Sequence, residues 1–281
     1  MYINTALNYT GSKFRLLSEI IPEMDYTKKY FIDLFGGSGV VGFNLVDKYD
    51  KILYNDIITD LVGIHKGIIY DFDNFTQNVK NLCVDKDDQE GYIKLRSDYN
   101  QNKTPEKLYA LMLCSTNNMM RFSLSFKYNQ TFGKRSYSKS TQNKLNLFNE
   151  FIIPFKDKLY FTSKPFSEIK LLKPSMVYID SPYGRIQDEN GEILNKQISE
   201  AGYNCFWKME DDIILYNYIL ELNKNNHSFM VSGLLEHDGK KSWMLNKLIN
   251  DGFKYKELNF NYNKVSKNGN KESKEIIIMN Y

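Results

Sequence analysis

The sequence predicts an α/β fold: a Rossmann-like sheet into which a mainly helical module is inserted. Three observations predict it. A strand, a glycine turn and a helix follow one another at residues 30–35, 36–39 and 40–46, and the apolar run Ile52-Leu53-Tyr54 supplies a second strand. Further short apolar runs at 158–161, 176–179, 229–232 and 276–279 have strand length, and helical stretches begin near Met209 and Trp243. Finally, Asp33 and Asp180 lie 147 residues apart, whereas three strand-helix units use about 30 residues each, leaving about 60 to spare. The surplus is placed in a module at 60–149, inserted into a sheet domain made of 1–59 and 150–281. At 281 residues the chain is long enough to bury a substantial core and to carry both.

Taken in chain order, the first feature is Asn8-Tyr9-Thr10-Gly11-Ser12-Lys13, ahead of an amphipathic stretch at 14–21. Read alone it is a helix entry, with Thr10 or Ser12 as the cap. The glycine turn is more informative. Gly37, Gly39 and Gly42 satisfy G-x-G-x-x-G, and Asp56 follows Gly37 by 19 residues at the end of a strand, so a nicotinamide dinucleotide is one reading. Asp33 and Phe35, just before the glycines, point elsewhere, because a carboxylate repels phosphate and a phenyl ring obstructs close approach to a pyrophosphate. S-adenosylmethionine carries an ammonium and a sulfonium and has no phosphate. Gly36, Gly37, Ser38 and Gly39 would admit its amino-acid part, and Asp56 would accept its ribose hydroxyls. No Gly-Lys-Ser/Thr ends the turn, which disfavours a phosphate-cradling loop.

The inserted segment is basic. From Gly91 to Lys144 ten Lys or Arg stand against Asp98 and Glu106, a local balance of +8 in a chain whose net charge is +3. No carboxylate occurs between Glu106 and Glu150, and the cations alternate with Phe122, Phe126, Tyr128, Phe132 and Tyr137. Uncompensated cations suit backbone phosphates, while the interleaved Asn, Gln and Ser can read base edges. A solvated basic loop region is the plain alternative. Leu108 to Leu113 has the composition of a helix in the module's own small core.

Downstream, Met176-Val177-Tyr178-Ile179 runs into Asp180-Ser181-Pro182-Tyr183. A planar exocyclic amine has two N–H donors. Asp180 can accept one, the Ser181 carbonyl the other, and Tyr183 can stack on the ring face. The same four residues also make an ordinary turn. The polar stretch 184–202 reads as a mobile loop over the target site.

Together these pieces resemble the Dam family of adenine-N6 DNA methyltransferases over nearly the whole chain. That family opens on an aromatic-x-Gly-Gly/Ser-Lys segment, here Tyr9 to Lys13. Asp-x-Phe-x-Gly-x-Gly follows, here Asp33 to Gly39, and then an acidic strand end, here Asn55-Asp56. A recognition segment comes next, similar to Asn117-Asn118-Met119-Met120-Arg121-Phe122 and Tyr128-Asn129-Gln130-Thr131-Phe132-Gly133-Lys134-Arg135. After the catalytic tetrapeptide, phage-type members continue much as Ala201-Gly202-Tyr203-Asn204 and Trp207 do, and they close like Glu275 to Tyr281. The resemblance implies a methyltransferase sheet with a target-recognition module, using S-adenosylmethionine and acting on double-stranded DNA. It implies catalytic roles for Asp180, Ser181, Pro182 and Tyr183. It places Tyr9, Lys13, Asp33, Phe35, Gly36, Gly37, Ser38, Gly39, Asp56, Phe166 and Asp180 at the cofactor, with Phe166 as simple core the other reading. It places Asn117, Asn118, Arg121, Asn129, Lys134, Arg135 and Lys139 on DNA. Departures are Ser181 for the usual second-place Pro, Thr131 for the Pro before Phe-Gly, and Ser123 for the Asn after Arg-aromatic; they bear on rate and on the target sequence.

Two other classes stay open: a DNA-binding regulator that keeps the fold without turnover, and a nicotinamide oxidoreductase. Cys83, Cys114 and Cys205 are widely spaced, and His65, His227 and His237 form no cluster, so neither a disulfide framework nor a metal is implied and free thiols are expected. No secretory pattern opens the sequence and no apolar run approaches membrane-spanning length, so a cytoplasmic location and no membrane contact are expected. A cognate restriction endonuclease in the same system is the one protein partner the resemblance allows.

Overall fold

The computed structural model describes residues 2–182, 184–198, 207–259 and 273–281. These divide into two compact units, one formed by 1–14 with 36–164 and the other by 15–35 with 165–281.

The chain enters through a 3-10 turn and a single helical turn, α1 (Leu17–Ile20), then forms β1 (Tyr30–Asp33), α2 (Val40–Phe43) and β2 (Lys51–Asn55). Five helices follow: α3 (Thr59–Tyr70), α4 (Phe72–Leu82), α5 (Gln89–Gln101), α6 (Pro105–Cys114) and, after a long irregular segment, α7 (Lys139–Ile152). Strands β3 (Leu159–Thr162) and β4 (Ser175–Ile179) come next, then the hairpin β5 (Arg185–Gln187) and β6 (Ile193–Gln197). The remainder is α8 (Met209–Lys224), β7 (Ser228–His237), β8 (Lys240–Lys241), α9 (Trp243–Asn250), β9 (Lys254–Leu258) and β10 (Ser273–Met279).

In the second unit β4 lies between β1 and β7, parallel to both, and β10 runs antiparallel between β7 and β9. β4 is buried along its whole length, which is why it reads as an unbroken apolar run rather than as an alternation. The C-terminal Asn280 closes this sheet: its amide oxygen accepts the Phe229 N–H at 2.9 Å, and its nitrogen donates to the His227 carbonyl at 2.9 Å. The Asn-Tyr ending is thus a strand clasp.

The first unit holds the parallel pair β2 and β3 and the helical cluster. α6 is its centre, with every residue from Leu108 to Cys114 buried. Thr104 caps it, accepting the Lys107 N–H, and Pro105 opens it. A residue larger than glycine cannot stand at Gly63, whose Cβ would lie 2.3 Å from the Pro105 ring; this close approach seats α3 against the start of α6. Among the described residues no helix is long and apolar enough to cross a membrane.

The fold class is the one read from the sequence, an α/β protein with a mostly parallel sheet. The stretch expected as a loop at 184–202 is a β-hairpin over 185–197. Its polar composition hid two inward residues, Ile186 and Ile198, which pack with Leu234 and Leu194. The hairpin turns at Asp188, whose carboxylate accepts the N–H groups of Asn190 and Glu192. Residues 199–206, which carry the Ala201-Gly202-Tyr203-Asn204 match and Cys205, lie outside the described residues.

Candidate functional site

In the first unit the turn after β1 is built on aromatic rings. A Cβ on Gly36 would come within 2.2 Å of the Tyr54 ring, and one on Gly39 within 2.1 Å of Phe43. Gly37 and Gly39 also take left-handed conformations, with φ of 50° and 71°, which glycine adopts without strain. Tyr9 lies over Gly37, its ring 3.1 Å from where a Cβ would stand. The peptide at Gly37 is held from both ends. Its N–H donates to Asp56 Oδ2 at 3.0 Å, while its carbonyl accepts the Tyr54 hydroxyl at 2.6 Å and lies 3.1 Å from His65 Nε2. A carbonyl only accepts, so the His65 proton sits on Nε2. His65 is fully buried and remains neutral, its pKa pushed down to about 4 by desolvation.

Asp56 follows β2. Its second oxygen accepts the Ile58 N–H at 2.9 Å. Burial raises its pKa to about 6 against the opposing pull of these two N–H donors. The side chain therefore braces the glycine turn as well as presenting a carboxylate beside it. Lys13 is buried and donates to the Gly11 carbonyl at 3.2 Å, and Ser12 does not cap a helix: its hydroxyl is buried without a partner. Glycines too tight for any Cβ, a carboxylate beside them, an orphaned hydroxyl and no phosphate-binding lysine motif fit a ligand with hydroxyl and ammonium donors better than a polyphosphate.

In the second unit Asp33 ends β1, almost fully buried, and Leu34 continues the pairing by donating to the Tyr178 carbonyl at 3.0 Å. Phe35, Phe166 and Trp207 form an aromatic group with ring centroids 5.3–5.7 Å apart. Asp180 directly follows β4. Its Oδ1 accepts the Ser232 hydroxyl at 3.0 Å, and that hydroxyl is 2.8 Å from the Tyr178 oxygen. Ser181 and Pro182 follow at intermediate exposure, with no cis peptide bond among the described residues. Tyr183 lies outside the described residues.

Sequence reasoning missed Asp212, a fully buried carboxylate in the first turn of α8. One oxygen accepts the Arg185 N–H at 2.7 Å and the other the Trp207 indole N–H at 3.1 Å, while the Arg185 guanidinium donates to the Trp207 carbonyl. It pins both flanks of the segment that follows the tetrapeptide. Replacing Asp212 with Ala strands two buried donors, and urea unfolding should show a loss of about 1–3 kcal/mol. An unchanged midpoint would mean that water satisfies them.

The basic segment sorts into two groups. Arg96 donates to the Gln130 carbonyl, Lys103 to Phe126, Lys107 pairs with Asp98 at 2.8 Å, and Lys144 donates to Asn8 Oδ1 at 2.6 Å. These four cations tie parts of the chain to one another. Lys94, Arg121, Lys127, Lys134, Arg135 and Lys139 are exposed. Asn117 and Asn118 adopt left-handed φ of 58° and 53°, and Asn118 accepts from Arg135 at 3.1 Å. Asn129 Oδ1 is buried without a partner. Lys139 is the first residue of α7, where Ser138 caps the helix by accepting the Thr141 N–H at 3.1 Å, although the flanking serines suggest a flexible polar stretch. A narrow turn closed by the bridge Phe122↔Tyr128 lifts Leu124 and Phe126 outward, 79% and 57% exposed, between Arg121 and Lys127. The sequence marks Phe126 as an aromatic residue among the cations but not Leu124, whose signal is an apolar residue at an alternate position of a basic run, which otherwise reads as strand.

Modification methylase StsI of Streptococcus sanguinis is 28% identical over 301 residues, covering 100% of this chain and 43% of its own length. Type II methyltransferase M.FokI of Planomicrobium okeanokoites is 28% identical over 295 residues, with the same two shares. A DNA adenine methylase of Haemophilus influenzae is 25% identical over 206 residues, 65% of each chain. The chain thus spans less than half the length of the first two. Residues 9–263 match the D12 class of N6 adenine-specific DNA methyltransferases, and the chain belongs to that family.

Proposed function

We propose that the chain is a site-specific DNA methyltransferase that methylates N6 of an adenine rotated out of duplex DNA, with S-adenosylmethionine as donor. The observation that carries this reading is Asp180, oriented by Ser232 at the end of a buried parallel strand and followed by Ser181-Pro182. S-adenosylmethionine, when bound, supplies an electrophilic methyl group on a sulfonium. Tyr9, Lys13, Asp33, Phe35, the 36–39 turn, Asp56 and Phe166 are the residues proposed to hold it.

Asp180 and the Ser181 carbonyl each accept one N–H of the target amine. Two such bonds draw the nitrogen from planar towards tetrahedral geometry and expose its lone pair. Asp180 serves chiefly as acceptor and as electrostatic partner of the positive charge that develops on nitrogen, the proton leaving as that charge appears. Rotating a base out costs a few kcal/mol, and stacking on Tyr183 offsets about 1–3 kcal/mol of it. On the DNA side the proposed contacts are Asn117, Asn118, Arg121, Asn129, Lys134, Arg135 and Lys139 in a recognition module at 60–149. Leu124 and Phe126 suit an apolar contact with base edges. A cytoplasmic location and a cognate restriction endonuclease belong to the same proposal.

The test is incubation of purified chain with radiolabelled S-adenosylmethionine and adenine-unmethylated genomic DNA, then digestion to nucleosides. N6-methyladenine is the expected product, and single-molecule sequencing reads its motif. Cofactor binding without product would favour a DNA-binding regulator, and binding of NAD instead would favour an oxidoreductase.

Specificity separates two cations. Arg121→Ala should cost about 1–3 kcal/mol on the preferred site and little elsewhere, because a guanidinium fork can engage guanine O6 and N7 together. Lys139→Ala should weaken all duplexes alike and reduce the salt slope by about one unit, as expected of a phosphate contact at a helix start. Methylation rates on cognate and singly substituted duplexes over a salt series check both. If Arg121→Ala lowers every duplex equally, Arg121 reads no base.

A further inference from the structure

Strand register brings three residues to one place. β4 and β7 run parallel with Ile179 opposite Val231, so the next pair along the ladder is Asp180 and Ser232. Side chains alternate along each strand, which puts Tyr178, Asp180 and Ser232 on a common face. The contacts follow: Ser232 Oγ is 3.0 Å from Asp180 Oδ1 and 2.8 Å from the Tyr178 hydroxyl.

The direction of these bonds is fixed by chemistry. A serine hydroxyl has one proton, and a carboxylate oxygen accepts. Ser232 therefore donates to Asp180, and Tyr178 in turn donates to Ser232. Both hydroxyl-bearing residues are almost fully buried, Ser232 at 3% exposure and Tyr178 at 1%, so bulk water does not compete, and a charge-assisted bond in such a setting is strong. A buried hydroxyl costs free energy unless it is paired, and an apolar residue at either position would complete the surrounding runs Met176–Ile179 and Phe229–Val231 equally well. The strand ladder is made by backbone groups and does not use these oxygens, and Ser232 Oγ is directed to Asp180. Asp180 stands just past the last strand residue, where a displacement of about 1 Å is enough to cost about 100-fold in rate.

We infer that Ser232 and Tyr178 are positioning residues for methyl transfer, a two-hydroxyl relay that holds the Asp180 carboxylate in the orientation in which it accepts the target amine. The inference rests on the proposed role of Asp180.

The experiment measures single-turnover methyl transfer by the full chain at saturating S-adenosylmethionine and DNA. Ser232→Ala should slow transfer by about 10- to 100-fold, the scale of a bond to a charged acceptor, with both dissociation constants within about twofold of the parent. Tyr178→Phe should slow it by about 3- to 10-fold. Ser232→Thr, which keeps the hydroxyl, should recover a rate within about threefold of the parent. In an Asp180→Asn background Ser232→Ala should add almost nothing, because residues acting through one another are not additive. A parent-like rate for Ser232→Ala, or a loss that multiplies undiminished onto Asp180→Asn, overturns the relay. Should the parent chain bind S-adenosylmethionine yet transfer no methyl group, the functional reading fails, and a crystal structure of Ser232→Ala then decides the relay by itself: an Asp180 carboxylate rotated from its parent orientation supports it, and an unmoved one overturns it.

Discussion

Replacing Asp180 with alanine is expected to lower single-turnover methyl transfer by about 10²- to 10³-fold, the range seen when one preorganised polar group aimed at developing charge is removed. DNA affinity should stay within about threefold, because phosphate contacts carry most of that affinity and the exposed cations Arg121, Lys127, Lys134, Arg135 and Lys139 all belong to a different segment of the chain. Asp180→Asn should fall between the two. It keeps the side-chain shape and one acceptor oxygen, but it offers an amide nitrogen where either the Ser232 hydroxyl or the target amine needs an acceptor. Filter binding and rapid-quench assays on the same preparations separate the effects. If DNA binding collapses in step with the rate, Asp180 supports the fold of the β4 end rather than the chemistry.

The central strands of the sheet were legible because they are buried on both faces, whereas the exposed β9 was not read from the sequence. The runs 176–179 and 276–279 contain almost no polar residue, and a chain that must bury both faces has few other ways to be written. The glycine turn was legible for a related reason, since Gly36, Gly37 and Gly39 sit where a Cβ has no room or φ is positive. The rings that impose this, Tyr54, Phe43 and Tyr9, are up to 28 residues away, and sequence spacing alone could not assign them to the turn. Ser232 was illegible as a site residue for the same reason. It looks like the polar end of an apolar strand, and only the pairing of Ile179 with Val231, 52 residues apart, brings it to Asp180. Local chemistry misled in two places. The hairpin at 185–197 buries just a few side chains, so its composition resembles a loop, and Ser138-Lys139-Ser140 looks flexible although Ser138 is a helix cap. Charge sign alone did not say what each cation touches: Arg96, Lys103 and Lys144 donate to groups of the protein itself, and Lys107 is paired with Asp98.

Replacing Asp56 with alanine should weaken S-adenosylmethionine binding by about 10- to 150-fold, which corresponds to about 1.5–3 kcal/mol for hydrogen bonds to a charged acceptor. Part of that loss comes from the Gly37 and Ile58 N–H groups, which lose their acceptor. The pH dependence distinguishes the ligand role from this bracing. Burial raises the Asp56 pKa to about 6, so the carboxylate is mostly ionised at pH 7.5 and mostly protonated at pH 5. If the ionised form accepts ribose hydroxyls, affinity is flat above pH 7 and falls, by up to about tenfold per unit, below pH 6. Stability of the ligand-free chain moves the other way. A folded pKa raised above the unfolded value means that the folded state binds the proton more tightly; the Asp56 contribution is present at low pH and is lost as pH rises from about 4 through 6, on the order of 2–3 kcal/mol. Asp212 is raised to about 6 by the same cause, so the comparison must be made as the difference between the parent chain and Asp56→Asn, in which the Asp212 contribution cancels. Calorimetric titrations of both proteins from pH 5 to 8 provide that difference. Parallel curves would show that Asp56 does not ionise in the binding range and would confine it to bracing the turn.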